Sequence, residues 1–185
     1  MFGGNAGNLL GIRVVYGQRV GDCRKATQQC RCGWLGHPLR GCRCTPVELQ
    51  QYAVRVSGPV LDRLDLQIEV TALTSDELLS VKPGEASAIV RERVFSARAH
   101  QRARGWLNAR LPNGALKDVC PLDAAGRRLV ADAVDRGGMS ARAVHRALRV
   151  ARTIADLEGE ARVTSLRLAE ALQYRAYEAR RFVAG

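Results

Sequence analysis

From residue 85 onward, helix start and stop signals divide the chain, and this pattern limits its fold more than any other feature. A first helix is predicted over residues 86–104, and a second begins near Leu122 and ends before Gly137. Ser140 and Thr164 are typical N-cap residues for a third and a fourth helix. Apolar residues share one face in the first helix (Val90, Val94 and Ala97) and in the third (Val144, Ala147, Leu148, Ala151 and Ile154). Four amphipathic helices of this kind predict a mainly α fold in which the helices bury one another.

The part of the chain before residue 85 has a mixed pattern. Residues 1–29 are rich in glycine, and a strand is predicted among the apolar residues between positions 9 and 15. Thr45-Pro46-Val47-Glu48 predicts a helix start, with Thr at the N-cap and Glu closing a capping box, and this helix is expected to end near Val56. Leu66-Gln67-Ile68-Glu69-Val70 alternates apolar and polar residues, which predicts a half-buried strand.

Two pairs of cysteines form the clearest chemical motif. Cys30-Arg31-Cys32 is followed, after nine residues, by Cys42-Arg43-Cys44. Four thiolates in two close pairs across a Gly-rich loop suit tetrahedral zinc, so Cys30, Cys32, Cys42 and Cys44 are the predicted metal ligands. The flanking arginines are expected to lower the thiol pKa values. Four reduced cysteines on a turn, or a redox pair, are the alternatives, and Cys23 and Cys120 are expected to be ordinary thiols.

Charge and composition narrow the class of partner. The formal net charge is +11, and residues 1–44 carry seven Lys or Arg against one acidic residue. A basic surface of this kind favours nucleic acid or nucleotide partners, although a solvated Arg-rich surface is an equal alternative. No apolar run approaches the ~20 residues of a membrane helix, and the N-terminus lacks a signal-peptide pattern. We therefore expect a cytoplasmic protein that does not contact a membrane.

The motifs of ATP hydrolysis are absent from the sequence. No Gly-Lys-Ser/Thr occurs, and no apolar run ends in the Asp-Glu pair of a Walker B strand. The three histidines lie far apart in sequence, so a hydrolase triad is not indicated. We expect this chain by itself to be inactive as an ATPase.

Several blocks of sequence, taken in order, resemble one known family. They include Cys32-Gly33-Trp34-Leu35-Gly36-His37-Pro38, Cys42-Arg43-Cys44-Thr45-Pro46, Val56-Ser57-Gly58-Pro59-Val60-Leu61-Asp62-Arg63-Leu64, Ser140-Ala141-Arg142-Ala143 and Arg149-Val150-Ala151-Arg152-Thr153-Ile154-Ala155-Asp156-Leu157. Together they resemble the C-terminal part of the magnesium-chelatase-like AAA+ ATPases of the ComM/YifB family, over residues 26–175.

The resemblance implies a fold, an activity and partners. It implies a small α/β remnant of an AAA+ core, at residues 30–84, followed by a four-helix lid-type magnesium-chelatase C-terminal domain at residues 85–185. Full-length members combine a domain similar to the Lon protease fold with an AAA+ module. They resemble hexameric, ATP-driven DNA motors, and the ComM branch is associated with branch migration during natural transformation. ATP, magnesium and DNA are therefore implied only for the full-length protein.

The resemblance also implies roles for two arginines. Arg63 occupies the place of an arginine finger that reaches the nucleotide of a neighbouring subunit, although a structural pair with Asp62 or Asp65 is the alternative. Arg142 matches the sensor-2 arginine. Arginines also form two stripes at helical spacing, each of which could contact nucleotide or DNA or could be a solvated face. One stripe is Arg142, Arg146 and Arg149, and the other is Arg91, Arg98 and Arg102.

The sequence departs from the family pattern near its start. The family places Asn-Pro before the first cysteine pair, whereas this chain reads Ala26-Thr27-Gln28-Gln29-Cys30, and residues 1–25 do not align. A sensor-1 asparagine is therefore not assigned. Two other interpretations stay open: a non-enzymatic module that binds zinc and nucleic acid, and a truncated or frameshifted gene product.

Overall fold

A computed structural model describes most of the chain. The described residues are 12–16, 24–27, 30–37, 40–54, 64–70, 75–80 and 84–175. The chain separates into two compact units, Met1–Val81 and Lys82–Gly185, and each is described by itself.

The N-terminal unit contains a three-stranded antiparallel sheet. Its strands are β1 (Ile12–Tyr16), β2 (Arg24–Thr27) and β3 (Leu66–Val70), in the order β2-β1-β3. Val14 pairs with Ala26 on one side and with Ile68 on the other. The strand predicted from alternation is confirmed as β3, and β1 lies in the region where a strand was expected. No strand was predicted at β2, because its four residues carry no alternating pattern.

Among its described residues the same unit contains two helices, α1 (Pro46–Val54) and α2 (Ser75–Leu79). The capping box predicted at the start of α1 is confirmed. Thr45 Oγ1 accepts a hydrogen bond from the Glu48 amide at 3.3 Å, and Glu48 Oε2 accepts one from the Thr45 amide at 2.9 Å. The Thr45 amide and hydroxyl also hold the pKa of Glu48 below its usual value. Within the described part of the chain α1 ends at Val54, and its expected last turn falls outside.

The C-terminal unit is helical, as predicted. Its helices are α3 (Ser87–Ala103), α4 (Leu116–Val119), α5 (Ala124–Asp135), α6 (Ala141–Leu157) and α7 (Ser165–Gln173). Ser140 and Thr164 cap α6 and α7 as expected, since their side chains accept hydrogen bonds from the amides three residues later. Asp123 caps α5 in the same way. The four long helices confirm the mainly α fold class, and none of the helices in the described ranges has the length and apolar character needed to cross a membrane.

Helix α6 lies at the centre of this unit and packs against α3, α5 and α7. Four of its five predicted core residues are buried, and Ile154 is half-buried. In α3 the expected face is correct, since Ala97 and Gln101 on it are buried, but the predicted Val90 and Val94 remain 38% and 41% exposed. The N-terminal half of α3 therefore extends beyond the core of the unit.

The segment that joins α3 to α5 was not predicted in detail. It contains two 3₁₀ turns, Asn108–Arg110 and Asn113–Ala115, and the short helix α4. Two leucines of this segment, Leu111 and Leu116, are buried, at 2% and 3% exposure. Because the turns are three residues long, they carry no periodic signal that a sequence could display.

Candidate metal centre and arginine sites

Tight turns shape the loop of residues 30–44. The Gly33 amide donates to the Cys30 carbonyl oxygen at 3.2 Å, which closes the first turn. Gly33 and Gly36 have φ angles of 79° and 81°, a left-handed conformation that glycine adopts at little cost. This compact path brings the two cysteine pairs to one point.

The four predicted ligand sulfurs form a tight cluster. All four Sγ atoms lie within 4.8 Å of one another. The Cys30–Cys32, Cys32–Cys42 and Cys30–Cys42 Sγ–Sγ distances are 3.4, 3.6 and 3.8 Å, and all four cysteines are free of disulfides. Sulfurs at the corners of a tetrahedron around zinc, with Zn–S about 2.3 Å, are roughly 3.8 Å apart. Cys30, Cys32, Cys42 and Cys44 can therefore hold a metal ion, and their spacing fits a tetrahedral thiolate site.

Backbone amides point at these sulfurs. The Leu35 amide donates to Cys30 Sγ at 3.3 Å, and the Cys44 amide donates to Cys42 Sγ at 3.5 Å. Hydrogen bonds from amides stabilise negative charge on sulfur, so they favour the thiolate, which is the form that binds metal.

The pKa of Cys32 falls to about 6, and its cause differs from the expected one. The backbone amide of Arg43 lowers it most, followed by that of Trp34, and together they outweigh desolvation. The pKa of this thiol is therefore lowered, as expected for a cysteine flanked by arginines, but through backbone hydrogen bonds, the first of them from Arg43. The Arg31 side chain is 76% exposed and faces Glu48, with Nη1 3.6 Å from Oε1, so solvent and a carboxylate screen its charge.

The second cysteine pair behaves in the opposite way. The Cys44 amide lowers the pKa of Cys42, but desolvation and the neighbouring Cys32 and Cys30 sulfurs outweigh it and raise the value to about 12. The pKa of Cys44 is also raised, since desolvation and the Cys32 side chain outweigh the backbone bond that lowers it. Four sulfurs this close cannot all lose protons unless a positive charge joins them, and a divalent cation supplies that charge.

Trp34, His37 and Arg40 form a cluster of two aromatic rings and a guanidinium in the cysteine loop. The Arg40 guanidinium lies 4.4 Å from the centre of the Trp34 ring, a cation–π contact. The His37 ring meets the same indole edge-on at 4.9 Å, and its Nδ1 accepts a hydrogen bond from the Arg40 amide at 3.1 Å. Arg40 is thus held against the loop surface.

Arg142, the predicted sensor, lies in the first turn of α6. Its side chain is exposed, whereas Ala143 and Val144 beside it are buried. Ser140 Oγ accepts the Ala143 amide at 3.1 Å, which fixes where the helix begins. The structure thus holds the backbone of Arg142 firmly and leaves its guanidinium in solvent.

Arg149 does not belong to an open stripe with Arg142. Its Nη2 donates to the Leu111 carbonyl oxygen at 2.8 Å and to Asn113 Oδ1 at 2.6 Å. These bonds attach the 3₁₀ turns to α6, so Arg149 has a structural role. Arg146 between them is half-buried. Of this stripe, Arg142 is the member whose exposure suits a ligand.

The second predicted stripe is exposed along its whole length. Arg91, Arg98 and Arg102 are exposed on α3, and none of them forms an ion pair with another described residue. Arg63, the predicted arginine finger, lies outside the described residues. Leu64 and Asp65, which follow it, are buried at 5% and 7% exposure.

A buried polar cluster was not recognised in the sequence. Asp156 on α6 is 2% exposed, and its carboxylate accepts hydrogen bonds from Arg152 Nε at 3.1 Å, from Asn108 Nδ2 at 2.7 Å and from Arg104 Nη2. The backbone N–H of Asn108 donates a hydrogen bond to Gln101 Oε1 at 3.1 Å. The cluster ties the end of α3 and the first 3₁₀ turn to the C-terminal end of α6.

Arg152 extends this cluster to the turn before α7. It is 1% exposed, and its guanidinium donates to the carbonyl oxygens of Ala161, at 3.0 Å, and Glu160. The spacing of Arg152 and Asp156, four residues apart on a predicted helix, was the signal available in the sequence. It did not distinguish a buried pair from an exposed one.

Family comparisons match both units. The family described as "Magnesium chelatase, subunit ChlI C-terminal" matches residues 84–175, and "Magnesium chelatase, subunit ChlI" matches residues 21–78. These matches, with the helical unit and the cysteine loop before it, define the class of protein: the C-terminal part of a magnesium-chelatase-like AAA+ protein.

Curated relatives narrow the class. Competence protein ComM of Haemophilus influenzae is 43% identical over 136 residues, and uncharacterized protein YifB of Escherichia coli is 40% identical over 139. An uncharacterized protein of Mycobacterium tuberculosis is 37% identical over 145 residues. These alignments cover 72%, 74% and 76% of this chain but 27%, 27% and 29% of the relatives, so the chain spans about a quarter of their length. The chain belongs to the magnesium-chelatase-like proteins of the ComM/YifB family and matches their C-terminal part.

Proposed function

We propose that the chain works as the C-terminal part of an ATP-dependent, hexameric motor that processes DNA in the cytoplasm. Its type is branch migration linked to natural transformation, and the name of the Haemophilus relative, a competence protein, supports that link. In this proposal the chain supplies sensing and stabilising arginines, while the P-loop and the magnesium belong to a segment outside these 185 residues.

The position of Arg142 carries the proposal. The N-terminus of a helix bears a partial positive charge, so an arginine in the first turn of α6 does not help the helix. A phosphate group bound there would interact favourably with both the guanidinium and the helix terminus. Because the buried side chains of α6 fix the helix backbone, the backbone position of Arg142 relative to a bound nucleotide would be well defined.

Arg63 is the proposed arginine finger. A guanidinium is planar and always charged, and it stabilises the charge that spreads over a transferring phosphoryl group. The support is the family motif Leu61-Asp62-Arg63. The burial of Leu64 and Asp65 anchors the chain immediately after it.

The metal proposed for the four-cysteine cluster is zinc. The ligand set is sulfur alone, and the Sγ–Sγ distances of 3.4 to 3.8 Å suit zinc's tetrahedral geometry. Bound zinc would supply cross-linking of the loop rather than chemistry, since four protein ligands leave no open position. The Leu35 and Cys44 amides would stabilise the thiolates by donating hydrogen bonds to Cys30 Sγ and Cys42 Sγ.

DNA is the proposed macromolecular partner. The exposed arginines at positions 91, 98 and 102 offer a row of charges on α3, and the net charge of +11 attracts a polyanion. A second candidate function, a non-enzymatic module that binds zinc and nucleic acid, is favoured by one observation. The same chain has a metal-competent cluster in one unit and, in the other, arginines without an ion pair among the described residues, and its sequence contains no P-loop motif.

The decisive experiment uses the full-length Haemophilus relative. We expect replacement of the arginine aligned with Arg142 by alanine to lower steady-state ATP hydrolysis by roughly tenfold or more, because a transition-state contact is lost. Lysine at the same position keeps the charge but not the planar fork, so partial activity is expected. Unchanged hydrolysis by the alanine variant would contradict the proposal.

The isolated chain provides the complementary measurement. It is expected to hydrolyse no ATP, because it carries neither P-loop nor Walker B motif. Turnover that persists through purification and disappears in Arg63→Ala would contradict this expectation. Zinc and DNA binding by the chain, with no loss of hydrolysis in the relative's variant, would favour the second candidate.

A further inference from the structure

Phe95 is an exposed aromatic residue on α3, next to exposed arginines. Its side chain is 61% exposed, and it lies on the same face of the helix as the three unpaired arginines. The successive intervals Arg91–Phe95, Phe95–Arg98 and Arg98–Arg102 are four, three and four residues, which align these side chains in one stripe along the helix. We call these four residues the Phe95 stripe.

The Phe95 stripe is not an extension of the helical core. Phe95 precedes the buried Ala97 by two residues, which places the two side chains about 200° apart around the helix. Val90 and Val94, by contrast, lie on the Ala97 side. Phe95 therefore points away from α6, and packing within the unit does not account for a phenylalanine at this position.

The charges around Phe95 are available for a ligand. Arg93 on the same helix is paired with Glu85 at 2.7 Å, whereas the arginines of the Phe95 stripe have no such partner in the described ranges. Glu92 is the single acidic residue of α3. The stripe thus presents three guanidinium groups and one aromatic ring over about 16 Å of helix.

This combination fits single-stranded DNA better than a duplex. Guanidinium groups neutralise phosphates, and an exposed aromatic ring stacks on a base whatever its identity. In a duplex the faces of the bases are already stacked, so a helix-borne phenylalanine gains nothing from them. We propose that the Phe95 stripe binds single-stranded DNA, with Phe95 stacked on a base and the arginines on the phosphates. This inference rests on the proposed function in that it takes DNA as the partner.

Fluorescence anisotropy of the full chain tests the inference, with labelled oligo(dT) and an abasic strand of the same length as the probes. Phe95→Ala is expected to weaken oligo(dT) binding by about tenfold and to leave binding of the abasic strand unchanged, because only stacking is lost. Arg98→Gln is expected to weaken both strands and to reduce the slope of log K against log [salt] by about 0.7.

Matched variants separate these effects from a general loss of surface. Leu166→Ala removes another exposed apolar side chain, 67% exposed on α7, and Arg128→Gln removes an exposed charge on α5. Both are expected to bind oligo(dT) as the unmodified chain does. Circular dichroism should give the same helix content for all four variants.

The inference would be overturned by no binding of oligo(dT), by equal losses in Phe95→Ala and Leu166→Ala, or by a loss in Phe95→Ala that is equal on the abasic strand. Duplex DNA bound as tightly as oligo(dT) would also contradict stacking. The proposed function is judged separately, by hydrolysis in the relative's Arg142-equivalent variant. If that variant loses activity while the chain ignores oligo(dT), only the inference fails.

Discussion

The cysteine loop and the helical unit are ordered by different means. In residues 30–54 one side chain of those described, Cys30, is fully buried, and α1 buries none. The helical unit buries residues from every turn of α6, and it also contains the buried polar cluster around Asp156. A short segment that cannot bury enough apolar surface needs a cross-link, whereas a four-helix unit can rely on packing. We therefore expect the stabilities of the two regions to respond to different perturbations.

The two tryptophans allow these regions to be followed separately. Trp34 lies in the cysteine loop against Arg40, and Trp106 lies in the helical unit. With Trp106→Phe the fluorescence reports on the loop, and with Trp34→Phe it reports on the helices, because the chain has no third tryptophan.

Removal of the metal is the change with the largest expected effect. We expect one zinc per chain, and its loss by chelation or in Cys42→Ser should unfold the loop, since structural zinc contributes roughly 10 kcal/mol or more of apparent folding energy. Elemental analysis and hydrogen exchange would check this. Residues 30–54 should exchange faster while α6 stays protected.

Cys120→Ala is the control for that experiment. Cys120 is buried in the helical unit, where desolvation raises the pKa of its thiol to about 11. Its replacement should leave the zinc content unchanged. Zinc that survives Cys42→Ser, or that is lost in Cys120→Ala, would show that the site is wrong.

Loss of the central carboxylate should have the next largest effect. Asp156→Ala would leave Arg152 and Arg104 as buried or half-buried cations without their anion, at an expected cost of about 3–5 kcal/mol. Urea unfolding followed through Trp106 measures it. Asp132→Ala is the matched control. Asp132 and Arg136 also form an i,i+4 pair, in the reverse order and on an exposed face, so this replacement should change stability by under about 0.5 kcal/mol. Equal effects would contradict a buried electrostatic role.

Apolar packing gives the third prediction. Leu148, 8% exposed on α6, should lose roughly 2–5 kcal/mol of unfolding free energy on replacement by alanine, because a cavity remains. Leu166→Ala, at 67% exposure, should change it by less than about 0.5 kcal/mol. Thermal melts of the two variants decide the matter, and the loop fluorescence of Trp34 should be unaffected by either.

The smallest expected effect is that of Arg142→Ala. Because the side chain is exposed at the start of α6, its removal should change stability by less than about 0.5 kcal/mol. The same replacement in the full-length relative should lower hydrolysis. If Arg142→Ala unfolded the unit while Leu148→Ala did not, α6 would face the opposite way and the sensor assignment would fail.

Local interactions explain why so much of the helical unit could be predicted. Ser140 and Thr164 satisfy amides within three residues, and the capping box of Thr45 and Glu48 closes within the same distance. Such bonds depend on neighbours in sequence, so the residues alone indicate them. The four metal-competent cysteines were likewise evident, because their spacing already confines them to one loop.

Other features depended on the tertiary structure, because they join residues far apart in the chain. Asn108 meets Asp156 across 48 positions, and Arg149 reaches Leu111 across 38, so no local pattern announces either contact. The tertiary structure also decided which apolar residues α6 covers. On α3 it buried Ala97 but left Val94, on the same face, exposed. Phe95, on the opposite face, is also exposed. The residues alone predicted α1, the four longer helices of the C-terminal unit, the caps at Thr45, Ser140 and Thr164, and the cysteine set, since short-range interactions fix those. Burial of charges and exposure of apolar side chains were decided only when the helices packed, since both depend on which surfaces meet.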